Sequence, residues 1–196
     1  MFLSVRKFRV IKPEIRVLGV DDGVFVPHTR SLVTVVGVVF RGGYWLDGVM
    51  HTRIRVDGFD ATRKIASMII GSLHYRQLRV IMLNGITFAG FNVVDIKKLC
   101  SRTKLPVIAV TREKPDFDEI REALMHLPRS EERWKTVLGG GAIFEVSTRG
   151  KSVLHVQACG ILKDDARKIV KLTSTRSSVP EALRVAHLVA SGVSGV

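Results

Sequence analysis

The residues best placed to do chemistry in this 196-residue chain are acids that end apolar runs. The stretch Ile15-Arg16-Val17-Leu18-Gly19-Val20-Asp21-Asp22-Gly23 is apolar and β-branched until it stops at two carboxylates and a glycine. A buried strand delivers acidic side chains to the rim of a sheet in this way. A second acidic turn, Asp57-Gly58-Phe59-Asp60, follows another strand-like run, and a third run ends at Asn84-Gly85. Carboxylates from separate turns suit a hard divalent cation, because Mg²⁺ takes oxygen ligands and keeps several waters. Such cations cleave phosphodiesters by neutralising the phosphate, activating a water and stabilising the leaving oxygen, often as a pair about 3.5–4 Å apart. On this reading Asp21, Asp57 and Asp60 are the catalytic acids, and Asp21, Asp22 and Asp57 are candidate ligands for Mg²⁺ or Mn²⁺. Each acid also has a structural reading. Asp22-Gly23 and Asp57-Gly58 are turn dipeptides, while Asp60, Asp95 and Asp164 are placed to cap helices or favour their dipoles. Strand alternation points Asp21 and Asp22 apart unless the strand ends between them.

The charge balance names the partner class. Lys plus Arg exceed Asp plus Glu by 31 − 18 = 13, and the isoelectric point is near 10.3. A chain this basic expects a polyanion, most commonly nucleic acid, DNA or RNA. Substrate contacts are expected from Gly85, Thr87 and Asn92, in a loop whose glycines let backbone amides approach a phosphate or a base. Phe59, beside the acidic turn, is a candidate to stack on a displaced base, although anchoring the core is its other reading. Arg112 and Lys114 follow the run 105–110. Gly139-Gly140-Gly141 lacks the Lys-Ser/Thr of a phosphate-binding P-loop. His28, His51, His74, His126, His155 and His187 show no metal-ligand spacing and receive no role.

The elements that must position these groups follow from periodicity. Apolar residues are 46% and charged residues 25%, which fits one globular domain over residues 1–196. Strands are expected at 15–21, 31–40, 44–56 (one long strand, or two joined by a bulge at Asp47-Gly48), 78–83 and 105–110, then a strand pair at 142–147 and 152–158. Helices are expected after Asp60, at 93–102, 117–126, 130–134 and 164–172, and at 180–190 with Pro180 as its first residue. Three meandering strands followed by strands alternating with helices is the order of a ribonuclease H-like α/β fold, a mixed sheet with helices on both faces. No window approaches the ~18 apolar residues of a spanning helix, and Met1 to Lys7 lack secretory features. A cytoplasmic protein without membrane contact is therefore expected, with Cys100 and Cys159 as buried, reduced thiols.

Five stretches carry a family resemblance: Leu18 to Gly23, Val56-Asp57-Gly58-Phe59-Asp60-Ala61-Thr62, the loop Leu83 to Asp95, the strand Leu105 to Thr111, and the tail Val179-Pro180-Glu181-Ala182-Leu183-Arg184-Val185-Ala186-His187. Together the chain resembles the archaeal-type endonuclease dU family and, more distantly, endonuclease V. The resemblance implies a metal-dependent endonuclease acting on DNA at a deaminated base, deoxyuridine in particular, with Asp21 at the metal-binding position of the first strand. The tail is similar to the Pro-Glu-Pro-x-Arg-x-Ala-Asp/His ending of endonuclease V. Where the fourth strand of endonuclease V ends in Asp-Gly, this chain has Asn84-Gly85, so the resemblance implies Asn84 as a neutral oxygen ligand, and the Lys that endonuclease V carries after its fifth strand implies Arg112 and Lys114 as phosphate contacts. The alternative function is a non-catalytic nucleic-acid-binding protein on the same fold.

Overall fold

The computed structural model describes residues 5–27, 29 and 31–194. Of the loop expected at 27–30, His28 and Arg30 lie outside the described residues, as do Met1 to Ser4. Among the described residues nine strands and six α-helices follow in the order β1 (Arg16–Asp22), β2 (Leu32–Arg41), β3 (Trp45–Arg55), α1 (Ala61–Ile70), β4 (Val80–Asn84), β5 (Thr87–Phe88), β6 (Asn92–Val93), α2 (Ile96–Thr103), β7 (Val107–Thr111), α3 (Phe117–Met125), α4 (Ser130–Gly139), β8 (Phe144–Ser147), β9 (Val153–Cys159), α5 (Lys163–Thr173) and α6 (Glu181–Ser194). Seven strands form one mixed sheet in the order β3-β2-β1-β4-β7-β9-β8. β1, β4 and β7 are mutually parallel, while β2 and β3 are an antiparallel meander on one side and β9 and β8 pair antiparallel on the other. This is the ribonuclease H-like arrangement expected from the order of elements.

The sheet is buried on both faces because its central strands alternate two apolar sets. Leu18, Val20, Ile81 and Leu83 pack with Ile65 and Ile69 of α1 and Leu99 of α2. Val17, Val80, Met82 and Ile108 pack on the opposite face with Ile169 of α5 and Ala182, Ala186 and Ala190 of α6. Parallel β1, β4 and β7 bring Asp21, Asn84 and Thr111 to one edge of the sheet, the carboxyl edge where open α/β sheets bind ligands. Among the described residues no helix is long and apolar enough to cross a membrane.

The expected bulge in β3 is present. Pairing steps from Val39↔Gly48 to Phe40↔Leu46, which leaves Asp47 without a partner in β2. Its carboxylate instead bridges Arg16 at 3.1 Å and Arg41 at 2.8 Å. Four elements differ from expectation, the first being α2, which begins at Ile96 because Val93 pairs in β6 and Asp95 caps the helix. The glycine loop after Asn84 contains a short hairpin, β5 with β6. α4 runs to Gly139 rather than stopping at Trp134, because Arg133 and Val137 bury one face at i, i+4 spacing. α6 begins at Glu181, with the Pro180 carbonyl accepting from the Leu183 and Arg184 amides, so Pro180 precedes the helix instead of opening it.

One packing feature positions the site more than any other. Gly19, Asp21 and Gly23 alternate onto the α6 side of the first strand. A methyl group at Gly19 would overlap the backbone of Ala182, and one at Gly23 would overlap Ser194 and the Ala190 carbonyl. The two glycines therefore let α6 lie directly on β1, with Asp21 between them beneath the helix. Gly19→Ala is expected to cost about 1–3 kcal/mol, the usual range for overpacking. A thermal melt of that variant checks it, and an unchanged midpoint would mean that α6 is not held this closely.

Candidate active site

Asp21 is 2% exposed at the end of β1. Its Oδ1 accepts from the Asp22 amide at 3.0 Å, and its Oδ2 meets both Asn84 Nδ2 at 3.0 Å and His187 Nδ1 at 3.0 Å. Burial raises its pKa, opposed in turn by the Asp22 amide, the Asn84 amide and the His187 imidazole. β1, β4 and α6 thus each contribute one member of an Asp–Asn–His cluster. A proton on His187 Nδ1 would satisfy Asp21 and leave Nε2 as the acceptor, on an imidazole whose side chain is 61% exposed. α6 is fixed at its start by Glu181, which is 1% exposed. The Glu181 carboxylate accepts from the Arg176 amide at 3.2 Å and pairs with Arg184 at 2.7 Å, a charge-assisted contact at a helix N-terminus.

Asp22 points away from this cluster, as strand alternation requires. Its Oδ2 accepts from the Ala89 amide at 2.6 Å, which ties the end of β1 to the glycine loop. Burial pushes its pKa up to about 6, the Ala89 hydrogen bond opposing and the neighbouring Asp21 charge adding. The native state therefore binds this proton more tightly than the unfolded chain does. The associated stability is complete below the unfolded value near 4 and is lost as pH rises through about 6. Asp22→Asn, which keeps an acceptor for Ala89, is expected to be more stable than the parent above pH 6, by at most about 3 kcal/mol, and equal to it near pH 4. Urea unfolding in EDTA across pH 4 to 8 measures the difference, and a gap that fails to open with pH would refute the buried charge.

Asp57, Asp60 and Asn92 form a second cluster devoted to turn geometry. Asp57 has a left-handed backbone, φ 48°, and its Oδ1 accepts from the Phe91 amide at 2.8 Å. Asp60 precedes α1, but its carboxylate makes no capping bond. It accepts instead from the Arg55 amide at 3.2 Å and from Asn92 Nδ2 at 2.7 Å. Asn92 is fully buried and also donates to the Arg55 carbonyl and accepts from the Ala61 amide, so it is a strut of the fold and not a surface contact. Arg133 of α4 closes the cluster by donating to the carbonyls of Asp57, Gly58, Phe91 and Pro128. Phe59 lies between two guanidinium groups, Arg133 at 4.0 Å and Arg129 at 4.1 Å from its ring centre, and stays 43% exposed. The structure thus brings Asp21 and Asn84 together and occupies Asp57 and Asp60 elsewhere. Among the described residues no three His, Cys, Asp or Glu side chains are gathered to hold a metal.

A cleft of about 880 Å³ opens beside the Asp–Asn–His cluster. Asn84, Gly85, Thr87, Arg112, Lys114 and His187 all line it, so four of the expected substrate contacts share one cavity with the site. Its size suits a nucleobase or nucleotide. His187 is the residue that sequence reasoning passed over. Its signal was present in the tail, where it ends the Pro180-Glu181-x-x-Arg184-x-Ala186-His187 pattern, but His spacing alone showed nothing. Asp95 and Asp116 are ordinary helix caps, accepting from Lys98 and from Asp118 and Glu119 respectively. Asp164 pairs with Arg167, and Cys100 and Cys159 are buried free thiols.

Relatives place this geometry in a family. The chain is 54% identical over 187 residues to a UPF0215 protein of Methanothermobacter thermautotrophicus, covering 95% of this chain and 91% of the relative. It is 45% identical over 188 residues to a UPF0215 protein of Pyrococcus furiosus, covering 94% and 95%. A solved protein of unknown function from Archaeoglobus fulgidus superposes with a TM-score of 0.82 at 39% identity, covering 91% of this chain and 98% of that one. Endonuclease V of Bacillus subtilis shares the fold, with a TM-score of 0.66 at 13% identity over 97% and 86% of the two chains. So does Ciona intestinalis endonuclease V bound to DNA containing an inosine, with a TM-score of 0.58 at 15% identity over 88% and 82%. The family description endonuclease dU matches residues 13–194, nearly the whole chain, and the protein belongs to the endonuclease dU family.

Proposed function

We propose that this protein is a metal-dependent endonuclease that cuts DNA at a deaminated base, with deoxyuridine as its substrate. The observation that carries the reading is the Asp21–His187 contact at 3.0 Å, with Asn84 on the same carboxylate oxygen, at the mouth of a cleft lined by Arg112 and Lys114. A buried carboxylate orienting an imidazole is the arrangement of a general base or acid. The two cationic side chains suit a phosphate backbone in a chain whose net charge is +13.

The donor set fits Mg²⁺ or Mn²⁺ through few protein ligands. Asp21 would hold the ion, and Asn84 would join it by turning its amide oxygen inward. The ion's role would be Lewis-acid polarisation of the scissile phosphate. A site with one carboxylate leaves positions for water and substrate oxygens, as Mg²⁺ sites commonly do. Asp22, Asp57 and Asp60 act in this reading by shaping the loop 85–92 that forms one cleft wall.

The second reading, a nucleic-acid-binding protein without catalysis, is favoured by the neutral Asn84 and by its hydrogen bond to Asp21. Labelled duplexes carrying deoxyuridine, deoxyinosine or neither, incubated with and without Mg²⁺ or Mn²⁺, separate the two. Metal-dependent cutting of the deoxyuridine strand is expected, and retained binding without any cut would leave only the second reading.

A further inference from the structure

Among the side chains that line the cleft is one with an acceptor oxygen that neither the fold nor the Asp–Asn–His cluster uses. Gln157 lies on β9, is 7% exposed and lines the cleft that also holds Asn84 and His187. Its Nε2 donates to the Gly141 carbonyl at 3.0 Å. That bond fixes which end of the amide is which, because a carbonyl partner demands the nitrogen. Its Oε1 accepts from no described residue and is not among the buried unpaired atoms, so it keeps access to solvent on a side chain that lines the cleft. The neighbouring His155 Nδ1 is unpaired but sealed from water, and so is not available in the same way. Gly140 packs directly against the amide: a methyl group there would lie 2.7 Å from Gln157 Nε2.

We propose that Gln157 reads the ring N–H of a deaminated base held in this cleft. The inference deepens the nuclease reading of the same site. Deamination of cytosine or adenine changes two adjacent positions. The ring nitrogen turns from a bare acceptor into an N–H donor, and the exocyclic amine turns into a carbonyl. Gln157 Oε1 matches the new donor, and the second Nε2 hydrogen matches the new carbonyl. Against cytosine or adenine both contacts oppose like with like, and a buried polar group left unpaired is costly. Thymine and guanine also carry a ring N–H beside a carbonyl, so this residue separates a deaminated base from its parent and from no other base.

The test measures binding of the full chain in EDTA, by fluorescence anisotropy, to oligonucleotides of deoxycytidine and deoxyadenosine that carry one central deoxyuridine, deoxyinosine or N3-methyldeoxyuridine. The parent protein is expected to bind the first two about ten-fold more tightly than the unmodified strand, and N3-methylation to remove that advantage. Gln157→Leu should erase the preference, its affinities for the modified and unmodified strands converging, and methylation should cost it little more. A Gln157→Leu protein that keeps the preference overturns the proposal. So does a parent protein that shows none, or one that binds N3-methyldeoxyuridine as well as deoxyuridine, outcomes that do not depend on the variant folding. Cleavage with Mn²⁺ is scored on the same strands. Base preference without cutting removes the nuclease reading and leaves the Gln157 assignment standing.

Discussion

Asp21→Asn is expected to lower cleavage about 10³-fold or more while leaving the fold intact. The loss follows from position. Asp21 is the carboxylate that reaches the carboxyl edge of the sheet beside Asn84 and His187, so on the proposed reading its replacement would remove both the charged ligand of a metal and the orienting charge behind the imidazole. Several kcal/mol of transition-state stabilisation rest on such a ligand, and each 1.4 kcal/mol is ten-fold in rate. The fold is spared because Asn has the same shape and keeps an oxygen for the Asn84 and His187 contacts of Oδ2, losing only the Asp22 amide bond that Oδ1 accepts. Burial raises the Asp21 pKa, so in the absence of metal the neutral amide is expected to be at least as stable as the parent at neutral pH. Single-turnover cleavage and a thermal melt in EDTA give the two readouts. Parental cutting by Asp21→Asn would remove the site assignment, whereas lost cutting with a collapsed melt would say that Asp21 serves the fold.

The difference between what the sequence disclosed and what it hid follows from the reach of each interaction. β1, β2, β4 and β7 were legible because strands buried on both faces read as unbroken apolar runs. The bulge at Asp47 was legible because Asp-Gly interrupts an otherwise regular strand. Asp21 stood out because it ends such a run, and strand alternation already set Asp22 apart from it. The remaining corners of the cluster arise from pairings that no local pattern encodes. His187 reaches Asp21 across 166 positions, and only because Gly19 and Gly23 let α6 lie flat on β1. Asn84 was visible as a strand end, yet its use as a donor to Asp21 depends on β4 lying beside β1. For the same reason Asp57 and Asp60 read as ligands: an acidic turn looks alike whether its carboxylates face a metal or backbone amides. Here they face amides, and the cation that compensates the turn comes from α4, 73 to 76 positions later.

That cation sets the second large expectation: Arg133→Met is expected to destabilise the protein by about 3–5 kcal/mol. Arg133 is 2% exposed, and burial lowers its pKa while Asp57 nearby raises it. Its guanidinium serves four carbonyls, those of Asp57, Gly58, Phe91 and Pro128, and stacks on Phe59. Methionine fills much of the space but leaves these acceptors without a donor, each costing about 1–3 kcal/mol where water cannot reach. Arg133→Lys is expected to recover only a minor part, because one ammonium has three hydrogens and no planar fork to span the turn and the loop. The damage should be local before it is global. Asp57 holds the Phe91 amide and its own amide bonds the Ala89 carbonyl, so loosening the turn frees the loop that carries Gly85 and Thr87 along the cleft wall. Hydrogen exchange at the Asp57 and Phe91 amides should accelerate in Arg133→Lys at temperatures where the melt is still flat, and cleavage should fall with it although no group at Asp21 has changed. Unchanged exchange at both amides would mean that Arg133 merely fills volume.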